Sequence, residues 1–277
     1  MVISGTTRLL GIIGDPVHHS RSPEMQNRAV AEAGLDYVYV PLPVSPQRLS
    51  QGVAGLRALG IHGFNVTIPH KVAVLPLLDR LSPEAEAIGA VNTVHNENGC
   101  LVGYNTDGAG LVASLREELG FDPQGANLVV IGAGGAARAA IYALCAAGAQ
   151  RLLIVNRSAE RARELVRRYG KLFPRVRLEF RETLPSMLED TDLLLNTTSV
   201  GMDGVSLSAD PAALGENAVV YDMIYAPPES PLLAAARWRG LRCANGLGML
   251  AAQGERAFTL WTGVIPLRGL MKSVLKS

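Results

Sequence analysis

Four short segments in the first part of the chain carry the residues best suited to chemistry, at points where predicted strands end. They cover residues 19–24, 64–71, 90–93 and 103–108. In open α/β sheets, ligands bind outside the carboxyl ends of the strands. Together the segments supply hydroxyls, side-chain amides, the amine of Lys71 and the carboxylate of Asp107, with no side chains at metal-ligand spacing. This combination predicts a small, anionic, polyhydroxylated substrate and no metal.

The first segment contains two serines beside a predicted helix start. Pro23 is favoured at the first helical position, so Ser22 is expected to be the N-cap, a contribution of about 1 kcal/mol. Ser20 is two residues earlier, and in an extended segment the two hydroxyls point the same way. Two hydroxyls beside a helix N-terminus suit a carboxylate. Capping alone would also explain Ser22.

The second segment predicts a strand that is followed, just past its end, by a lysine. Alternation places Asn65 and Thr67 on one face and apolar side chains, including Ile68, on the other. Pro69 ends the strand just before Lys71. The helix dipole disfavours a cation at a helix start, and this mismatch indicates function, although a surface lysine is the commoner alternative. Asp107, in the fourth segment, is explained equally well as an ordinary acid at a helix start.

A glycine-rich turn follows the predicted strand at residues 127–131 and precedes a helix. Its spacing matches G-x-G-x-x-A in the strand-turn-helix context of a dinucleotide site. The first glycine permits the turn, the second lets the backbone approach a pyrophosphate, and the alanine lets the helix pack closely. The alternative, a glycine-rich turn of any α/β protein, is less favoured in this context. The predicted cofactor-binding residues are Gly132, Ala133, Gly134, Gly135 and Ala136, followed by the small Ala137.

The end of the next strand distinguishes two cofactors. It reads Asn156, Arg157, Ser158, where an NAD site usually carries an acid. Arg157 suits the 2′-phosphate of NADP, and Arg161 lies one turn further on the same helix face. Ser158 is the expected N-cap. The alternative is that the arginines form only a solvated, arginine-rich helix face. The sequence predicts NADP as the cofactor.

Strands and helices must position these groups, and along the chain short apolar runs alternate with helical patterns. This alternation predicts an α/β fold with mainly parallel sheets, and 277 residues suggest two domains at about 150 residues each. We expect a substrate-binding domain of residues 1–106 with 247–277, whose C-terminal helices return to it, and a Rossmann-type NADP domain of residues 107–246. Strands are predicted at 9–13, 37–42, 62–68, 91–95, 100–103, 127–131, 151–155, 176–180, 192–195, 218–222 and 241–244. Helices are predicted at 23–33, 46–59, 108–119, 136–147, 159–169, 231–239, 247–261 and 266–276.

Composition excludes several classes of protein. The net charge is +1, with 18% charged and 48% hydrophobic residues, which excludes a disordered chain and argues against a nucleic-acid groove. No apolar run reaches the length of about 18 residues that a bilayer span needs, and no signal peptide is recognisable. Cys100, Cys145 and Cys243 form no C-x-x-C pair and indicate a reducing compartment. A cytoplasmic protein is expected, and a homodimer is one open alternative for its oligomeric state.

Eight motifs occur in the order seen in shikimate dehydrogenases, which the chain resembles from Gly11 to about Phe258. They are GDPVHHSRSP, NVTIPHK, GAVNT, GYNTDG, GAGGA, NRS, YDMIY and NGLGMLAAQ. The resemblance implies an oxidoreductase of aromatic amino-acid and chorismate biosynthesis that reduces 3-dehydroshikimate to shikimate with NADPH. A broader quinate/shikimate dehydrogenase is the alternative within the enzymes. A non-catalytic NADP-binding sensor is the alternative outside them, and it predicts the loss of Lys71 or Asp107.

The resemblance also implies residue roles. Lys71 and Asp107 would be the catalytic pair, with Lys71 delivering a proton as general acid. Met223 and Gly246 would border the nicotinamide. The substrate carboxylate would bind Ser20 and Ser22, and the rest of the substrate would contact Asn65, Thr67, Asn92, Asp107, Tyr225 and Gln253.

Overall fold

The computed structural model describes residues 3–202, 207 and 209–276. The strands are β1 (Arg8–Gly14), β2 (Tyr37–Pro43), β3 (Gly63–Val66), β4 (Arg80–Leu81), β5 (Thr93–Glu97), β6 (Cys100–Tyr104), β7 (Asn127–Ile131), β8 (Arg151–Val155), β9 (Arg177–Arg181), β10 (Leu193–Asn196), β11 (Val219–Asp222) and β12 (Arg242–Asn245). The α-helices are α1 (Ser22–Glu32), α2 (Leu49–Ala58), α3 (His70–Ala73), α4 (Pro83–Ile88), α5 (Asp107–Leu119), α6 (Gly135–Ala146), α7 (Ala159–Leu172), α8 (Pro231–Trp238), α9 (Leu247–Thr262) and α10 (Leu270–Lys276).

The chain divides into two compact units. The first unit comprises Met1–Gly110 with Leu250–Ser277, and the second comprises Leu111–Met249. The boundaries between the units fall within α5 and α9. The chain therefore passes into the second unit within α5 and returns to the first unit within α9. Each unit contains a six-stranded sheet with helices, which confirms the predicted α/β fold class.

The sheet of the first unit is mixed. Its order is β2-β1-β3-β5-β6-β4, with β3 antiparallel to β5 and β5 antiparallel to β6, whereas the other pairs are parallel. The expected hairpin between β5 and β6 turns at Asn98 and Gly99, with φ values of 54° and 93°. These two residue types accept the left-handed backbone that a tight hairpin requires. The sheet packs its buried side chains, among them Phe64 and Val94, into one core.

The sheet of the second unit is wholly parallel, in the order β12-β11-β10-β7-β8-β9. Numbered within the unit, this is the doubly wound order 3-2-1-4-5-6, whose switch point lies between β7 and β10. Both faces of this sheet are covered, and β7 accordingly has four consecutive apolar residues after Asn127. Leu128 and Val130 enter one core, and Val129 and Ile131 enter the other.

Three local expectations were wrong. Helix α1 begins at Ser22, and its N-cap is Arg21, which makes no capping side-chain bond. Strand β3 stops at Val66, and Ile68 is 59% exposed instead of facing the core. Helix α10 begins at Leu270 rather than residue 266, because Gly269 has a φ of 75° that a regular helix excludes. By contrast, Ser158 caps α7 as expected. No helix within the described ranges is long and apolar enough to cross a membrane.

Candidate active site

Lys71 and Asp107 form a largely buried ion pair in the first unit. The Lys71 Nζ lies 2.5 Å from the Asp107 Oδ2, and the two side chains are 15% and 5% exposed. Lys71 belongs to α3, which starts after the three residues 67–69 that follow β3. The adjacent His70 anchors this short helix, since its Nε2 lies 2.6 Å from the Val44 carbonyl oxygen. The Lys71 carbonyl accepts a hydrogen bond from the Val91 N–H at 2.8 Å. The lysine is therefore held by its backbone as well as by its charge.

The second oxygen of the Asp107 carboxylate is also engaged. Its Oδ1 accepts a hydrogen bond from the Asn92 Nδ2 at 2.8 Å. The Asp107 N–H donates to the Asn105 Oδ1 at 3.1 Å, and the Asn105 Nδ2 donates to the Ala90 carbonyl at 2.9 Å. A carboxylate with an ammonium on one oxygen and an amide donor on the other has a fixed orientation.

Gln253 of α9 joins the same group of polar side chains. Its Oε1 accepts hydrogen bonds from the Asn92 Nδ2 at 3.3 Å and the Thr106 Oγ1 at 3.4 Å. Its Nε2 donates to the Leu250 carbonyl at 2.8 Å. The helices α5 and α9 approach closely at this point, since a Cβ built on Gly110 would lie 2.9 Å from the Gln253 nitrogen. The glycine thus allows Gln253 to reach Asn92.

Asn65 lies beside Asn92 and makes three side-chain hydrogen bonds to protein partners. Its Nδ2 donates to the Asn92 carbonyl at 3.0 Å and to the Thr93 Oγ1 at 3.1 Å. Its Oδ1 accepts a hydrogen bond from the Tyr39 hydroxyl at 2.7 Å. Burial raises the pKa of Tyr39 well above its ordinary value, so this hydroxyl stays a donor. Thr67, half-buried, continues the chain beyond β3, and its N–H donates to the Ile13 carbonyl at 2.9 Å.

The two serines lie at the start of α1. Ser22 is 3% exposed, and its N–H donates to the Ser20 Oγ at 3.2 Å. Between them, Arg21 forms an ion pair with Glu24 at 2.7 Å and donates to the Leu275 carbonyl at 2.6 Å. The acid in the first turn is thus neutralised by its own arginine. The structure places both hydroxyls beside a helix N-terminus, which is favourable for an anion.

The glycine turn of the second unit has the shape of a phosphate cradle. Gly132 has a φ of 118°, and a Cβ there would collide with the Thr197 hydroxyl. Gly134 is the N-cap of α6, and a Cβ built on it would meet nothing within 4 Å. The first turn of α6 carries no acid. Open space beside a helix N-terminus, without a competing carboxylate, fits the pyrophosphate of a dinucleotide.

The end of β8 presents two exposed arginines. The Ser158 Oγ accepts the Arg161 N–H at 3.5 Å, and the Asn156 Nδ2 donates to the Ser158 carbonyl at 2.9 Å. These contacts fix the backbone and leave the Arg157 and Arg161 side chains exposed. The expectation that the two arginines share a helix face was wrong, because α7 begins at Ala159 and Arg157 precedes its N-cap. A guanidinium pair at a helix N-terminus fits a phosphate, as the sequence predicts for NADP.

A buried carboxylate organises the ends of β10 and β11. The Asp222 Oδ1 accepts from the Asn196 Nδ2 and the Ile224 N–H, both at 3.0 Å, and its Oδ2 accepts from the Ser230 hydroxyl at 2.5 Å. Burial raises the pKa of Asp222 above its ordinary value, against the effect of these hydrogen bonds. The loop after β11 is thereby held in place by its own side chains.

The loop anchored by Asp222 carries Met223 and Tyr225, both half-buried. The Gly246 N–H donates to the Ile224 carbonyl at 3.2 Å, and a Cβ on Gly246 would collide with the Met223 carbonyl. The structure therefore brings Met223 and Gly246 together, and their contact with the nicotinamide stays a prediction.

Sequence reasoning missed several members of these groups. Thr93 and Thr106 lie in segments that the sequence singles out, but no role was predicted for them, and Tyr39 was not predicted at all. These three complete the polar network around Asn65 and Asn92. Asn196, Thr197 and Asp222, at the strand ends of the second unit, were also not predicted. The N-T-T run after a buried strand was a usable signal. No sequence signal identified Tyr39, because a tyrosine within an apolar strand is typical of the hydrophobic core.

Other features lie apart from these groups. No three His, Cys, Asp or Glu side chains are arranged to hold a metal ion within residues 3–202, 207 and 209–276. A cavity of about 240 Å³ is lined by Asn127 and Arg151, at the amino ends of β7 and β8, which is the sheet edge opposite the glycine turn.

Comparison with known proteins shows the family. The profile described as Shikimate dehydrogenase substrate binding domain matches residues 12–94, Shikimate / quinate 5-dehydrogenase matches 115–203, and Shikimate 5′-dehydrogenase C-terminal domain matches 246–276. The chain is 54% identical over 280 residues to the Shikimate dehydrogenase (NADP(+)) of Geobacter sp. (strain M21), with 99% of this chain and 97% of that protein covered.

Solved structures agree with the sequence relatives. The chain superposes with a TM-score of 0.92 on shikimate dehydrogenase from Aquifex aeolicus, at 37% identity and full coverage of both chains. It superposes with a TM-score of 0.87 on shikimate 5-dehydrogenase from Thermus thermophilus in complex with NADP(H) and shikimate, at 34% identity, with 98% and 99% of the chains covered.

The doubly wound sheet, the glycine turn and these likenesses define an enzyme of the NADP-dependent oxidoreductases. The chain belongs to the shikimate dehydrogenase family.

Proposed function

We propose that this enzyme reduces 3-dehydroshikimate to shikimate, with Lys71 and Asp107 as its catalytic pair. The observation that carries the proposal is the buried contact of 2.5 Å between the lysine amine and the aspartate carboxylate. It is supported by the amide donors and acceptors of Asn92 and Gln253 around it. A sensor without turnover predicts the loss of Lys71 or Asp107, and both are present.

The polar network suits the ring of a hydroxylated acid. Asn92, Asp107 and Gln253 combine donors and acceptors within one group, which alternating hydroxyls can match. The hydroxyls of Ser20 and Ser22 would bind the carboxylate beside the N-terminus of α1. Asn65 and Thr67 would complete the substrate-binding set, and the role of Tyr225 rests on the resemblance alone.

NADP fits the second unit. The pyrophosphate would be held by the backbone of Gly132, Ala133, Gly134, Gly135 and Ala136. The 2′-phosphate would be held by the side chains or backbone of Asn156, Arg157, Ser158 and Arg161, and the nicotinamide would lie by Met223 and Gly246. When bound in the reduced form, the cofactor supplies the hydride that reaches the C3 carbonyl carbon.

Lys71 has two tasks in this proposal. Its ammonium would stabilise the negative charge that develops on the C3 oxygen, and its Nζ would donate the proton that completes the alcohol. Asp107 would orient the ammonium through the observed hydrogen bond and accept one from a ring hydroxyl. Asn92 holds the aspartate while this happens.

The test is a matrix of shikimate or quinate against NADP⁺ or NAD⁺, followed by the absorbance of the reduced nicotinamide. We expect turnover with shikimate and NADP⁺ to exceed that of every other combination. Comparable turnover of quinate would favour the broader quinate/shikimate dehydrogenase, an alternative that the family description also names. Binding of NADP⁺ without turnover of either acid would favour the sensor.

We infer further that the enzyme works in the cytoplasm, in the pathway to chorismate and the aromatic amino acids. All three cysteines are free, and burial raises the pKa of the Cys145 thiol to about 12, as suits a packing residue rather than a reactive one. A homodimer is a prediction that sedimentation at assay concentrations would decide.

A further inference from the structure

Arg138 links the two helices that carry the proposed phosphate sites. It is the fourth residue of α6, and its guanidinium contacts Glu164 of α7 through two hydrogen bonds, of 2.6 and 3.4 Å. The two side chains are 16% and 31% exposed. The Arg138 carbonyl also accepts a hydrogen bond from the buried Tyr169 hydroxyl, another residue of α7, at 3.1 Å. Side chain and backbone of one residue thus join both helices.

The arginine is unfavourably placed for the helix that bears it. The N-terminal half of α6 has the positive end of its dipole close by, which disfavours a cation. The first turn of α6 contains no acid that would compensate. Its compensating charge comes instead from α7, which indicates that the pair serves a purpose beyond the stability of α6.

The glutamate lies on the helix face of one of the two cofactor arginines. Glu164 is three residues after Arg161, a spacing that keeps both on one side of α7, and Arg157 lies two residues before the start of this helix. An uncompensated carboxylate on this face would repel a 2′-phosphate, whose charge is about −2 at neutral pH. The same carboxylate would matter little to NAD, which carries a hydroxyl there.

We propose that Arg138 is a positioning residue for cofactor selectivity: by neutralising and orienting Glu164, it keeps the 2′-phosphate site on α7 positive. The inference rests on the proposed placement of the 2′-phosphate at Arg157 and Arg161. Arg138 acts on the selectivity through Glu164 and makes no contact with the reacting atoms.

The test measures dissociation constants of NADPH and NADH by the fluorescence of the bound nicotinamide, on the full chain without substrate. For Arg138→Met we expect the Kd of NADPH to rise about tenfold and that of NADH no more than about threefold, at low salt. Raising the salt from about 0.01 M to about 1 M should remove most of the difference, because the screening length falls from about 30 Å to about 3 Å.

Glu164→Gln supplies the decisive comparison. Introduced into Arg138→Met, it should return the NADPH affinity to within about twofold of the wild type, since no uncompensated charge remains. Alone, it should leave NADPH binding unchanged or tighter. A purely structural bridge predicts the opposite, namely that each single change and the double change weaken both cofactors. Should Arg138→Met fail to fold, the NADPH affinity of Glu164→Gln alone still distinguishes the two explanations. Unchanged or tighter binding supports the inference, and weaker binding of both cofactors overturns it.

Arg151→Met is the control for the loss of one positive charge from the same unit. Arg151 pairs with Glu179 at 2.8 Å, and Glu179 keeps Arg177 as a second partner at 2.7 Å. This variant should leave both cofactors within about twofold of the wild type. Equal losses for NADPH and NADH in Arg138→Met, without rescue, overturn the inference. A wild-type protein without preference for NADPH would instead overturn the 2′-phosphate placement on which it rests.

Discussion

The two proposed sites are built from different parts of the chain. In the first unit, the proposed site is built from side chains: Asn65 and Gln253 are hydrogen-bonded to Asn92, and Asn92 donates to the carboxylate of the Lys71–Asp107 pair. In the second unit, the glycine turn offers backbone N–H groups and open space. A substrate with several hydroxyls needs individually aimed donors and acceptors, whereas a pyrophosphate needs only charge and close approach.

The same difference appears in how each site is kept rigid. The side-chain network depends on partners far apart in sequence, so one lost partner leaves a buried polar group unsatisfied. The glycine turn depends on local backbone geometry, which few side chains can adopt. Substitutions should therefore affect turnover in the first unit and cofactor affinity in the second.

The largest effect is expected for Lys71→Met. It removes the proposed proton donor and leaves Asp107 without its ammonium, so kcat should fall by roughly 10²–10⁴ while the KM for shikimate changes little. Steady-state kinetics would measure this. Lys171→Met, at an exposed lysine of α7, serves as the control and should retain full activity. Near-normal turnover of Lys71→Met would remove the lysine from the chemistry.

Gly134→Val tests the backbone site. Its φ of −85° is accessible to any residue and no atom obstructs a Cβ, so the fold should persist with only the small loss of Tm that follows from valine being a poorer N-cap than glycine. The added side chain would occupy the proposed pyrophosphate space, and the Kd of NADPH should rise by about 10–100-fold. Gly132→Ala makes the contrast, because its φ of 118° and the nearby Thr197 hydroxyl predict a lower Tm as well. Unchanged NADPH binding by Gly134→Val would place the pyrophosphate elsewhere.

Arg157→Ala should raise the KM for NADP⁺ about tenfold and leave the KM for NAD⁺ unaltered, because only the former carries the phosphate. Arg167→Ala, at an exposed arginine of α7, controls for the general loss of positive charge. Equal changes for both cofactors would contradict the assignment.

The smallest effect concerns stability and pH. Burial raises the pKa of Asp222, so the folded state binds its proton more tightly than the unfolded state does. The wild type should therefore lose stability relative to Asp222→Asn as the pH rises from the ordinary aspartate pKa, about 3.9, through the raised value. Thermal melts of both proteins from acid to neutral pH measure this. If the wild type does not lose Tm relative to Asp222→Asn as the pH rises, the hydrogen bonds rather than burial dominate the pKa of Asp222.

Much of the fold was predictable because its signals are local. Apolar runs such as that of β7, the Asn98–Gly99 turn and the Ser158 cap each depend on a few adjacent residues. The wrong expectations at Ser22 and Ile68 lay where elements end, and there a single residue decides the boundary. The strand order of the mixed sheet, with β5 between β3 and β6, had no comparable local signal.

The amino-acid sequence by itself determined the alternation of strands and helices, the glycine turn and the family, since periodicity, φ preference and ordered motifs are properties of short segments. Only the tertiary structure decided which polar groups meet: Tyr39 with Asn65, Asn92 with Asp107, and Arg138 with Glu164. These partners are 15 to 26 residues apart along the chain. Hydrogen bonds and ion pairs require contact within a few ångströms, and at such separations packing, not spacing, brings the atoms together.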